Sequence, residues 1–147
     1  MSVLARIEKA AVATTKREKE ACARFGYEVY VKEMGYTPPG TNHDARVVWD
    51  EHDEKENAIH LYAGKLDDIK GIMRLIVWEP GQIDPGFHDA YSMHLFPGIE
   101  QMRTGEIGRL MIRPTVRGKL VLPALVRLVF ELMANEYQLD LAFAECR

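Results

Sequence analysis

The chain has 147 residues, 47% of them apolar and 28% charged, with a net charge of −3. Those figures describe one ordinary globular domain with room for a real core, and no low-complexity tract speaks for disorder. No run of 18 apolar residues occurs and Arg6, Glu8 and Lys9 interrupt the N-terminus, so neither a transmembrane helix nor a signal peptide is expected. Cys22 and Cys146 are too few for a disulfide framework and lack metal-ligand spacing, which points to a reduced cytoplasmic setting.

Ala5 to Val12 suits a short first strand. Thr15 followed by Glu18 is a capping box and predicts a helix through Ala21, Ala23 and Phe25 to about Met34, stopped by Gly35 and by Pro38-Pro39-Gly40. Gly26 weakens its middle and would allow two shorter helices. Thr37 to Asn57 is polar and turn-rich, broken by Val47-Val48-Trp49. Ala58 to Ala63 and Ile69 to Trp78 are two strands joined by a Gly64–Asp68 hairpin connection, with His60 and Tyr62 on one face and Ile59 and Leu61 on the other.

The long irregular stretch from Glu79 to Gly105 is a functional loop or holds short helices. Glu106 to Ile112 reads as a third core strand, Lys119 to Tyr137 as a helix apolar almost all round and therefore buried, and Asp140 to Cys146 as a last strand. The order implies an α/β (α+β) layered domain: a mixed, mostly antiparallel sheet, with the main crossover helix after the strand bearing Glu106. A sheet ending at an apolar strand has an exposed edge. The expectation is one domain over residues 1–147, either truncated or completed by a partner, a second copy of itself included.

Charge is uneven. Between Arg103 and Arg127 six cations (Arg103, Arg109, Arg113, Arg117, Lys119, Arg127) stand against one acid, Glu106, leaving the rest of the chain at −8. That segment favours an anionic partner, a solvated salt-bridged surface being the plainer alternative. Nucleic acid is not expected, because the segment carries no aromatic residue before Phe130 and the chain is acidic overall. A strand running into a cationic turn and then a helix can offer N–H groups and helix-dipole charge to a phosphate.

The turn Ile112-Arg113-Pro114-Thr-Val-Arg117-Gly118-Lys119 resembles the acyl-donor turn of the GNAT superfamily of N-acyltransferases. The chain also resembles the branch containing N-acyl amino acid synthases and acyl-homoserine-lactone (autoinducer) synthases. The ordered set that carries the likeness is Arg24 and Tyr27, the run Glu28 to Glu33, Asp50-x-x-Asp53, Gly71-x-x-Arg74 and Glu106-x-x-Arg109, spanning residues 15 to 147. Members of that branch continue past the strand ending in Cys146 with a helix and a hairpin that this chain lacks.

The resemblance implies a GNAT-type transferase that moves an acyl group from a thioester to a primary amine such as an amino acid. Glu106 would be the base, with Arg109 and Arg74 at the catalytic site. Ile112, Arg113, Arg117, Gly118 and Lys119 would bind the donor. Leu120 and Leu122 fill positions that are small in the family, which favours acyl-carrier protein over free coenzyme A. No bound cofactor or metal is implied; His88 and His94 lack metal-site spacing.

Read by themselves, the residues leave alternatives open. Glu106 could only bridge to Arg109 or Arg74, and an offset of three puts Arg109 on the other face of an ideal strand unless a bulge intervenes. Asp50 and Asp53 are either a turn or cap, or a recognition pair for a cationic amine or for Arg24. His52 is expected to be exposed, and Cys22 to be a buried small apolar group. Tyr91 to Phe96 could enclose an acyl chain. Other readings are a catalytically silent binding module for an acidic partner, and an autoinducer synthase, disfavoured because Gly35-Tyr36 stands where that family has Trp.

Overall fold

A computed structural model describes residues 8–116 and 120–145. Strand β1 (Ala10–Val12) leads to helix α1 (Lys16–Gly26). The capping box forms as the sequence predicts: the Glu18 N–H donates to Thr15 Oγ1 at 3.1 Å, and the Thr15 N–H donates to Glu18 Oε1 at 3.2 Å. The helix does not break at Gly26. It passes into wider π-helical winding over Tyr27–Glu33, and Gly35 follows at φ 65°, the left-handed stop. Gly26 is buried, and a Cβ there would stand 3.5 Å from Met111 and Val48, so it marks close seating of the helix.

The polar stretch after α1 contains a small ribbon, β2 (Thr41–Asn42) against β3 (Val47–Val48). Strands β4 (Ala58–Lys65) and β5 (Asp68–Trp78) form the central hairpin. They run further than the predicted connection, because Gly64 at φ 96° sits at a register shift that lets the strands pair almost to the tip. Helix α2 (Pro85–Ala90) and 3₁₀ turns at Met93–Leu95 and Ile99–Gln101 fill the long loop. Then come β6 (Thr104–Ile112), a 3₁₀ turn at Pro114–Val116, α3 (Val121–Glu131) with a π-helical extension over Leu132–Glu136, and β7 (Leu141–Ala144).

The main sheet has the order β1-β4-β5-β6-β7. Every pairing is antiparallel except β6 with β7, the parallel pair that the α3 crossover joins. The fold class expected from sequence is the one formed, with β7 at the sheet's edge.

Alternation sorts the two faces. Ile59, Leu61 and Ala63 of β4 and Met73, Leu75 and Val77 of β5 pack against Val121, Leu125 and Val129 of α3. On the other face, Ile72 and Met111 meet Cys22, Phe25 and Val29, while Ala58, Ile76 and Trp78 meet Met93 and Ile99. His60, Arg74 and Glu106 are buried between those two apolar clusters. The site therefore occupies the α1 face of the sheet, closed in by apolar packing on both sides.

Helix α3 corrects one expectation. Only one stripe of it is buried; Leu122 and Phe130 are 41% and 58% exposed. The helix covers one face of the sheet, and nothing among the described residues covers its outer side. Cys22 is buried as expected, and burial, with Glu18 nearby, pushes its thiol up to about 12. Cys146, Arg117, Gly118 and Lys119 lie outside the described residues. No helix among those described is long and apolar enough to cross a membrane.

Candidate active site

Strand register brings His60, Arg74 and Gly108 side by side, with Glu106 opposite Ile76 one step along. An uninterrupted β6 would turn Arg109 to the far face. Instead the β5–β6 register shifts between Ile72 and Arg74, and Arg109 takes φ 54°. A left-handed conformation costs a non-glycine residue about 1–3 kcal/mol. What it gains is reach: Arg109 Nη2 donates to Asp50 Oδ2 at 2.8 Å, to Asp53 Oδ2 at 3.2 Å and to the Pro39 carbonyl at 3.3 Å. The bulge is thus the device that joins β6 to the acid pair.

Arg74 completes the array. Its Nη1 donates to Asp53 Oδ1 at 2.9 Å and lies 3.6 Å from Asp50 Oδ1, while Nη2 lies 3.8 Å from Glu106 Oε2. The aspartates also form a turn, in which Asp50 N–H donates to Asp53 Oδ2 and the N–H groups of His52 and Asp53 donate to Asp50 Oδ1. The pair forms a turn and also receives two arginines. The arginines are Arg74 and Arg109, however, and not Arg24. Arg24 is exposed on α1, where it lines a separate surface cleft with Lys16, Lys19 and Trp49. Its spacing on the helix carries the side chain outward.

Three carboxylates facing two guanidiniums leave a negative excess, and the electrostatics follow. Burial opposes the charge on Asp50, but Arg109, hydrogen bonds from Asp53 and then Arg74 outweigh it and hold that carboxyl below the ordinary range. Glu106 goes the other way. Burial raises it, and Arg74, Tyr91, Arg109 and His52 offset only part of the rise. A carboxyl poised upward in a partly buried polar site is the usual preparation of a general base. Its Oε2 is buried without a hydrogen-bond partner among the described residues.

His60 supports the floor. It stacks on Trp49 with ring centroids 4.4 Å apart and donates through Nε2 to the Asp53 carbonyl at 3.1 Å. Burial pushes its imidazole down, so the neutral ring adds no charge to the array at neutral pH. His52 is half-buried and not exposed, resting edge-on against Phe87. Sequence reading missed Tyr91 as a polar group: its hydroxyl donates to Glu106 Oε1 at 3.1 Å. Of its loop, Met93 is fully buried, whereas Leu95 and Phe96 are exposed. Nothing in local sequence distance links Tyr91 to Glu106.

Gly108 leaves the space that the Glu106 carboxylate occupies. A Cβ there would stand 2.7 and 3.0 Å from the two oxygens of Glu106. Gly108→Ala should push the carboxylate off Tyr91 and Arg74, and misplacement of that order lowers turnover by up to about 10²-fold. Steady-state kinetics on the folded variant would check this; parental kcat would show that the carboxylate can move without consequence.

On the β7 side, pairing reaches only Ile107 with Ala144, while β6 runs on to Ile112. Beside the end of β6, unpaired on that side among the described residues, lies an apolar groove of about 390 Å³ bounded by Val29, Tyr30, Met34, Leu110, Ile112 and Leu122. Arg113 turns inward: its N–H donates to the Lys70 carbonyl at 2.9 Å, Nη2 to the Ile69 carbonyl at 3.3 Å, and the guanidinium covers the Phe25 ring at 5.3 Å. His88 pairs with Glu100 at 3.3 Å. Among the described residues no cluster of His, Cys, Asp or Glu could hold a metal ion.

Comparison with known proteins gives this chain a GNAT fold and the class of a GNAT-type N-acyltransferase. Residues 21–147 match the family model described as N-acyl amino acid synthase FeeM, so the chain belongs to that family. No curated protein sequence matches it. Among solved structures it is similar to FeeM, an N-acyl amino acid synthase from uncultured soil microbes, with TM-score 0.60 and 15% identity over 91% of this chain and 68% of that one. It is also similar to TofI in complex with an inhibitor and MTA, with TM-score 0.61 and 14% identity over 88% and 67%. An aminoglycoside acetyltransferase from a soil metagenome, in complex with sisomicin, gives TM-score 0.59 and 11% identity over 98% and 80%.

Proposed function

We propose that this N-acyltransferase carries an acyl group from the thioester of an acyl-carrier protein to the primary amine of an amino acid, with Glu106 as base. The observation that carries the reading is the buried Oε2 of Glu106. It is poised upward and has no hydrogen-bond partner among the described residues, on the strand that passes beside an apolar groove. A proton passes from the ammonium to Glu106, directly or through water. The freed amine attacks the thioester carbonyl carbon, and N–H groups of β6 would donate hydrogen bonds to the oxygen on which negative charge develops. Collapse breaks the C–S bond; the proton that the nitrogen loses as the amide forms passes to the departing thiolate, giving the thiol, and Glu106 returns its own proton to solvent. Arg74 and Arg109 hold the carboxylate's surroundings.

The apolar groove suits the pantetheine arm and acyl chain, and the charge of Arg117 and Lys119, with Gly118 between them in the sequence, suits the phosphate. Arg113, engaged with Ile69 and Phe25, would brace that turn more than grip the donor. The test is acyl transfer to a panel of amino acids, with one acyl group supplied on carrier protein and on coenzyme A and products read by mass spectrometry. The expected result is an N-acyl amino acid formed with higher kcat/KM from the carrier protein. Equal or better use of coenzyme A would overturn the donor assignment, and no amide from either donor would overturn the reaction.

A further inference from the structure

Tyr91 belongs to neither strand of the site and still reaches its centre. It closes the C-terminus of α2, immediately before Ser92 takes the left-handed conformation at φ 49° and Met93 plugs fully into the core. Its ring leans on Phe143 at 5.6 Å between centroids, and Phe143 is the register partner of Glu106 on β7. Three independent elements thus aim one hydroxyl at Glu106 Oε1. On the far side of the carboxylate Gly108 leaves the space the oxygens need, and Arg74 stands 3.8 Å from Oε2. One oxygen is held by Tyr91, and the other is buried beside Arg74 without a hydrogen-bond partner among the described residues.

We infer that Tyr91 is a positioning residue that holds the Glu106 carboxyl by hydrogen bonding Oε1 and sets the pH at which Glu106 becomes a base. The inference rests on the reading of Glu106 as base. The charged and titratable groups acting on Glu106 are Arg74 from β5, Arg109 from β6, His52 from the loop before β4, and Tyr91 itself; Tyr91 also feels Glu145 beyond β7. The hydroxyl donates to a carboxylate, so its proton is not directed at a leaving thiolate. Burial and Glu106 push the phenol up to about 12, which removes it further from a proton-donating role at neutral pH.

Tyr91→Phe keeps the ring on Phe143 and deletes only the hydroxyl. The Glu106 carboxyl should be followed by ¹³C NMR during pH titration in parent and variant, alongside the pH profile of kcat/KM. A lost hydrogen bond to the ionised form raises a carboxyl by about one unit. Glu106 in the variant should therefore titrate about one unit higher, and the acid limb of activity should move with it. A residue with a merely packing role would move neither titration. The inference is overturned if Glu106 titrates in the variant as in the parent, or if rate falls equally at every pH with the limb unmoved. A carboxyl that shifts while the activity limb belongs to another group, persisting in Glu106→Gln, keeps the Tyr91–Glu106 linkage and overturns the base assignment instead.

Discussion

Glu106→Gln is expected to lower turnover by about 10²–10⁴-fold, the usual contribution of a positioned base. Gln retains the size of the side chain and a carbonyl that can accept from Tyr91, so the change removes proton acceptance and little else. The acid limb of the pH profile should vanish with it. Stability should not fall at neutral pH. Burial raises the folded-state pKa of Glu106, and an acid raised in the fold contributes stability below its unfolded pKa that is lost as pH rises through the folded value. At neutral pH the ionised group therefore weakens the fold, and a neutral amide relieves that cost. Saturated steady-state kinetics with thermal unfolding measure both effects. Parental turnover in a folded variant would make Glu106 structural and pass deprotonation to water or to the free amine.

Arg74→Met should cost the fold about 3–5 kcal/mol, because it leaves buried acids facing one guanidinium in place of two. Asp53 and Glu106 are each only 5% exposed, so water cannot replace the lost partner. The Met side chain fills the volume and isolates charge from cavity effects. With a urea slope of about 2 kcal/mol/M, the unfolding midpoint should drop by about 2 M. The deficit should shrink in acid. Asp50 is held low in the parent fold, so its contribution is present above its unfolded pKa and is lost as pH falls through the folded value. Once these carboxylates are protonated, Arg74 has little left to stabilise. A loss below about 1 kcal/mol at neutral pH would show a solvent-screened array instead of a buried one.

Much of the fold was legible because its signals are local. A Thr and a Glu three apart can close a capping box wherever the rest of the chain lies. Alternation in β4 separates His60 from Leu61 without reference to any partner strand. The apolar run from Val121 to Phe130, in which Arg127 is the only charged residue before Glu131, announces a crossover helix. Its outer side could not be read as exposed, since exposure depends on which other elements cover it. Gly26 misled for a similar reason: propensity counts what glycine costs a helix, whereas its packing against Met111 and Val48 is a tertiary matter.

For the site, the sequence by itself determined the ingredients. Glu106 and Arg109 on one strand, Arg74 on another and the Asp50–Asp53 pair in a loop are visible as residue types in order. Only the tertiary structure decided who meets whom. The aspartates could have bound Arg24 on charge alone, but α1 faces Arg24 outward while the bulge at Arg109 swings that side chain in. Tyr91 was unreadable as a partner of Glu106 because they are joined by a loop whose path depends on where Met93 and Ile99 find their apolar cluster. Side-chain chemistry is written locally. Pairing across elements is fixed by register, bulges and packing, which are properties of the assembled chain.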